Sequence, residues 1–130
     1  MGFKKIAGLA VTALALNLII LADANAATIS VKCEVRGTSR SKISVDGAGL
    51  TGTFYARVTS GVVTKQSKAT MIADSSHEVE FDFDSNPNDV KAGATAIPAA
   101  FIKSNKVIGY IRRSGTNAIV GAIGATCKAK

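Results

Sequence analysis

The chain is predicted to fold as one all-β domain, an antiparallel β-sandwich of about seven or eight short strands. Three observations carry the prediction. Apolar and polar residues alternate with a period of two over several segments, as they do in strands with one buried face. Gly, Asn, Asp and Ser cluster between those segments, roughly every dozen residues. The composition beyond the N-terminal segment is rich in Val, Ile, Thr, Ser, Gly and Ala, and no segment there carries a helical period. A closed β-barrel is the alternative built from the same elements.

The alternation is strict from Thr28 to Arg36, with Ile29, Val31, Cys33 and Val35 on one face. Ile43 and Val45 begin a second strand, and Asp46-Gly47 reads as the turn that ends it. Leu50 to Thr59 alternates again, turning Phe54, Ala56 and Val58 inward, and Ser60-Gly61 marks the next turn. The stretch from Val62 to Ala73 is weaker and reads as an irregular segment leading into a strand around Ala69 to Ala73. His77 to Asp84 is the cleanest pattern: Val79, Phe81 and Phe83 oppose Glu78, Glu80, Asp82 and Asp84. Residues 85–89 form a loop. Ala94 to Lys103 and Val107 to Arg113 read as two strands joined by a tight turn at Ser104-Asn105. Ser114 to Asn117 is another turn, and Ala118 to Lys128 is the last strand, thinned by Gly121 and Gly124.

The N-terminus has the three parts of a cleavable secretory signal. Lys4 and Lys5 precede an apolar run from Ile6 to Leu21, and Ala24-Asn25-Ala26 gives small residues at a cleavage site. A retained membrane anchor fits less well, because the run is shorter than the about 20 residues that a span needs and no basic cluster follows it. Cleavage leaves residues 27–130 as the domain, with residues 1–26 as the signal peptide. A lipid anchor would need a cysteine at the end of the apolar run, and Cys33 lies too far downstream. The reading is therefore an exported protein, periplasmic or secreted, with no transmembrane anchor after cleavage.

A domain of this size buries about 65% of its unfolded surface, a modest margin. Both cysteines, Cys33 and Cys127, lie in the mature part, and an exported chain with two cysteines most economically pairs them. Closing so long a loop is worth roughly 4 to 5 kcal/mol in the chain-entropy picture. That pairing would tie the first strand to the last. It differs from the usual immunoglobulin arrangement, and the chain has no tryptophan to pack on it. The expected sandwich is thus Ig-like in shape only.

The full chain has 16 Lys and Arg against 9 Asp and Glu, a net charge of +7. Without Lys4, Lys5 and Asp23 the domain is still strongly basic. Its charges are also segregated: Asp74, Glu78, Glu80, Asp82, Asp84 and Asp89 fall in one window, and no Lys or Arg lies between Lys68 and Lys91. The plain account is cross-strand pairing worth tenths of a kcal/mol per pair. The sharper one is that the two surfaces attract different partners, or that acidic strand meets basic face between copies. Arg36, Arg40, Lys42, Arg57, Arg112 and Arg113 are the candidate binding surface, for an anionic surface or an acidic protein. An exported compartment, and only Tyr55, Tyr110 and four phenylalanines beyond the leader to stack bases on, argue against nucleic acid.

The segment from Asp82 to Asp89 spaces oxygen ligands as a hard cation requires, with Asp82, Asp84, Asn86, Asn88 and Asp89 as candidate ligands. It begins like an EF-hand loop, but Pro87 stands where the sharp turn needs glycine and Gly93 where a bidentate glutamate belongs. A looser calcium site, stabilising the fold, is the reading that remains beside an ordinary Asx/Pro loop. No other cofactor is expected. His77 is the only histidine, no G-x-S-x-G surrounds a serine, and the carboxylates of one strand lack opposition across a cleft. The sequence therefore predicts no enzyme, and favours a non-catalytic binding or interaction module. A self-assembling, fimbria-like surface subunit is the other alternative, pairing through edge strands.

Overall fold

The computed structural model describes residues 27–130, so the expected signal peptide, 1–26, lies outside the described residues. The elements are β1 (Thr28–Arg36), β2 (Arg40–Ala48), β3 (Thr53–Ser60), β4 (Val63–Gln66), β5 (Met71–Ile72), β6 (Val79–Asp84), α1 (Pro87–Lys91), β7 (Thr95–Ala96), β8 (Lys106–Arg113), β9 (Ile119–Thr126) and β10 (Lys128–Ala129). They form two sheets. The first has the order β9-β8-β3-β4, with β5 also on β3; the second has the order β10-β1-β2-β6-β7. Neither sheet closes into a barrel, and the arrangement is sandwich-like. The long pairs are antiparallel, while the two-residue strands β7 and β10 pair in parallel with β6 and β1.

One core lies between the sheets. Val35, Ile43, Val45, Phe81 and Phe83 come from the second sheet, and Phe54, Ala56, Val58, Val107 and Ile111 from the first. These are the inward positions of the alternating segments, as period-two side-chain geometry requires. The Cys33–Cys127 disulfide forms, and both cysteines are buried in the same core. It joins β1 to the junction of β9 and β10. There the chain leaves the edge of one sheet for the edge of the other.

Several expectations are corrected, each for a local reason. Asp46-Gly47 is no turn, because β2 runs through it to Ala48. Gly47 is small for another purpose: a Cβ there would meet Ile111 Cδ1 and Leu50 Cδ1 at 2.7 Å, so it is a point of close approach between layers. The turn follows at Gly49 and Gly52, both at positive φ. Residues 63–66 are not irregular but return as β4, in a hairpin whose turn carries Gly61 at φ 61°. The strand expected from His77 starts only at Val79. His77 sits in a turn at φ 62°, fixed by Asp74, whose Oδ1 accepts from the Ser76 and Glu78 amides.

The loop after β6 contains one helical turn. Asn86 caps it by accepting from the Asn88 amide, and Pro87 occupies the first turn, where a missing N–H costs nothing. The strand expected over 94–103 shrinks to Thr95–Ala96, because Pro98 cannot donate to a ladder. Two buried serines supply the missing bonds. Ser41 Oγ donates to Ala99 O at 2.7 Å and accepts from the Ile102 amide, and Ser60 Oγ donates to Lys106 O and accepts from the Lys103 amide. The tight turn at Ser104-Asn105 is present, with φ 54° and 57°.

Candidate functional site

The charge segregation noted in the sequence becomes a division between sheets. The strands of the first sheet carry Arg57, Lys65, Lys106, Arg112 and Arg113 and no acid. The strands of the second carry Lys32, Arg36, Arg40, Lys42 and Lys128 beside Glu34, Asp46, Glu80, Asp82 and Asp84. One sheet is cationic and the other balanced.

The outer face of the first sheet is built on β3 and β8. Tyr55 lies opposite Arg112, Arg57 opposite Tyr110, and Thr59 opposite Ile108. Arg57 Nε donates to Gln66 Oε1 at 3.0 Å, which holds the guanidinium against β4. Tyr55 donates its hydroxyl proton to Asn117 Oδ1 at 2.9 Å. Arg112 Nη1 donates to Asn117 O at 3.3 Å, while its buried Nε has no partner. Arg57 and Arg112 thus put fixed positive charge on either side of the half-buried Tyr110, over the buried Tyr55. Arg113 plays another part. Its guanidinium lies 4.9 Å from the Phe54 ring centroid and donates to Thr51 O, so it closes one end of the core.

On the second sheet the structure separates the remaining candidate cations. Arg40 bonds Asp84 through Nε at 3.0 Å and Nη2 at 2.7 Å, and Nη2 also reaches Asp89 Oδ2 at 2.9 Å. Lys42 stands in register between Glu34 and Asp84. Arg36 faces Arg40 across the end of the β1–β2 hairpin. Of the six expected surface cations, only Arg57 and Arg112 therefore share one acid-free face; Lys106 on β8 joins them.

The loop expected to offer oxygens to a cation places them differently. Asp84 and Asp89 converge on the Arg40 guanidinium, Asn86 caps α1, Asn88 belongs to the helix, and Asp82 points outward from β6. Two of the five candidate oxygen donors, Asp84 and Asp89, are thus engaged by one guanidinium. Among the described residues, no group of three or more His, Cys, Asp or Glu is arranged to hold a metal ion. Burial pushes the Asp84 carboxyl up, but the bonds from Arg40 and the Asn86 amide outweigh it and hold Asp84 below the usual carboxylate range.

The outer face of the second sheet is also a groove of about 870 Å³, floored by β1, β2 and β6 and walled by the 67–71 segment and residues 92–95. The wall is held in place where the Lys68 amide donates to Thr95 Oγ1 at 2.9 Å. At one end Asp46 sits directly opposite Glu80, with Asp82 next on β6. Asp82's charge is the main cause raising the Glu80 carboxyl above its ordinary value, and burial is the main cause raising Asp46. Lys32 offsets part of both. A smaller depression continues past Met71 and Ile72 to Asp74 and Glu78.

Crowded carboxylates cost stability while charged. A raised carboxylate value disfavours the charged folded form, so the cost is present at neutral pH and vanishes below the unfolded value of about 4.3. Glu80→Gln is expected to stabilise the fold at pH 7 by about a few tenths of a kcal/mol, a small figure because water screens the exposed group. Thermal melts should show that gain fading as the pH falls towards the unfolded value of about 4.3 and absent well below it. A destabilised E80Q at pH 7 would contradict the repulsion.

No family model matches the chain, and no curated protein or solved structure matches it either.

Proposed function

We propose that this chain is an exported, non-catalytic binding module, Ig-like in shape, whose working surface is the outer face of the first sheet. That surface docks on an anionic partner through Arg57, Arg112 and Lys106, with Tyr110 and Ile108 between them. The observation that supports it most is the absence of any acid from the strands of that sheet, while the second sheet carries five. Paired charges on a solvated face would alternate in sign; an unopposed set keeps its field for a partner. Export is supported by the leader-like residues 1–26 and by the disulfide, which an oxidising compartment yields. No described helix is long and apolar enough to cross a membrane.

Retention on a column of sulfated polysaccharide tests the reading. The protein should bind at low salt and elute as salt screens the contact. Arg57→Ala with Arg112→Ala should weaken retention about tenfold or more, at about 1 kcal/mol per surface cation. Retention indifferent to salt, or unchanged in the double variant, would refute it.

A further inference from the structure

We infer that the anionic partner of the cationic face is a second copy of this chain, whose second sheet receives the outward row of β8 at the acidic end of its groove, where Asp46, Glu80 and Asp82 lie. The inference rests on the reading of the first sheet as a docking surface and names what docks there. Two features of the molecule are complementary in kind. The outward row of β8 is Lys106, Ile108, Tyr110 and Arg112, two cations flanking two largely apolar groups, and Ile108 is 43% exposed. The groove places Asp46, Glu80 and Asp82 on one side with Met71, and the smaller depression that continues from it is lined by Ile72, 76% exposed. The groove also carries Lys32, Lys42, Lys68 and Lys128, so the match in charge is confined to its acidic end.

The energetics agree in sign. Within one chain, Asp46 and Glu80 face each other with only Lys32 offsetting them, so cations brought from outside relieve their repulsion. The net positive charge, +7 for the full chain and still positive without Lys4, Lys5 and Asp23, opposes association at long range, so contact depends on local matching and must weaken with salt. The two surfaces lie on different sheets. A contact between them is therefore heterologous: each copy added leaves one free groove and one free cationic face, and the assembly grows head to tail.

Sedimentation velocity at low salt tests this with three proteins: the native chain, a groove variant (Glu80→Lys, Asp82→Lys) and a face variant (Arg57→Glu, Lys106→Glu). Thermal melts first establish that both variants fold. The native chain should show a concentration-dependent series of oligomers. Each variant alone should associate at least about tenfold more weakly. Their equimolar mixture should give dimers and nothing longer, since one copy keeps only a cationic face and the other only a groove. A native chain that stays monomeric, variants that assemble like it, or a mixture that grows past dimers would overturn the inference. The polysaccharide column separates the two failures. A native monomer retained in a salt-sensitive way refutes self-association and keeps the docking face, whereas loss of retention removes the docking face itself.

Discussion

Replacing Cys33 and Cys127 by alanine is expected to be the most damaging change in this domain. The bridge spans a sequence separation of 94 residues. Without it the unfolded chain regains roughly 4 kcal/mol of conformational freedom. A small domain has about 5 to 15 kcal/mol in total, so this is a large share. At about 4 to 8 °C per kcal/mol, the midpoint should fall by roughly 15 to 30 °C. Thermal melts of the oxidised protein and of C33A/C127A measure it. A fall under about 5 °C would mean that the β10–β1 pairing closes the loop unaided.

The second large effect is expected at Asp84. Its side chain is 2% exposed and accepts three bonds, two from Arg40 and one from the Asn86 amide. Asp84→Ala leaves Arg40 with Asp89 alone and strips the cap from the β6 end, at a cost of about 3 kcal/mol. Removing both partners, as Asp84→Ala with Arg40→Ala, should cost less than the two single changes combined, because no charge is then stranded. The pH dependence has a definite sign. The Asp84 carboxyl is held below its unfolded value, so its stabilising effect is complete above about pH 4 and is lost as the pH falls through the lower folded value. The gap between the native chain and D84A should therefore be flat at neutral pH and narrow only below about pH 4. A gap that persists unchanged into strong acid would assign the effect to packing.

Strands whose two faces differ in environment were the legible part of this fold. β1 runs over the predicted Thr28–Arg36, and β3 and β6 turn the expected Phe54, Val58, Phe81 and Phe83 inward, because burial on one face leaves a period of two in the sequence. What failed was local chemistry with more than one meaning. Asp46-Gly47 has the composition of a turn, yet Gly47 is small because two layers touch there. The 94–103 segment is apolar enough for a strand, but Pro98 breaks it and distant serines complete its bonds.

The candidate site was legible as charge but not as geometry. Sequence shows that acids and bases are segregated, and nothing local tells that Arg40 will reach back to Asp84 and Asp89 across 44 and 49 residues. Nor does it show that Arg113 will cover Phe54 while its neighbour Arg112 faces outward. The groove depends on where the 67–71 segment docks, and its anchor, Thr95, lies 27 residues from Lys68.

The passage of the chain from β9 through Cys127 into β10 has a kinetic consequence. Glu34 and Val35 receive their neighbours, Lys128 and Ala129, only from the far end of the sequence. Synthesis delivers the N-terminal strand first, so that edge of β1 waits, unpaired, for the last segment to arrive. Contacts of such sequence separation form slowly, because the intervening chain must be ordered before they can close. Completion of the second sheet is thereby tied to the arrival of residues 128–129, and a polypeptide stopped short of Cys127 would keep both an open edge and a free thiol at Cys33.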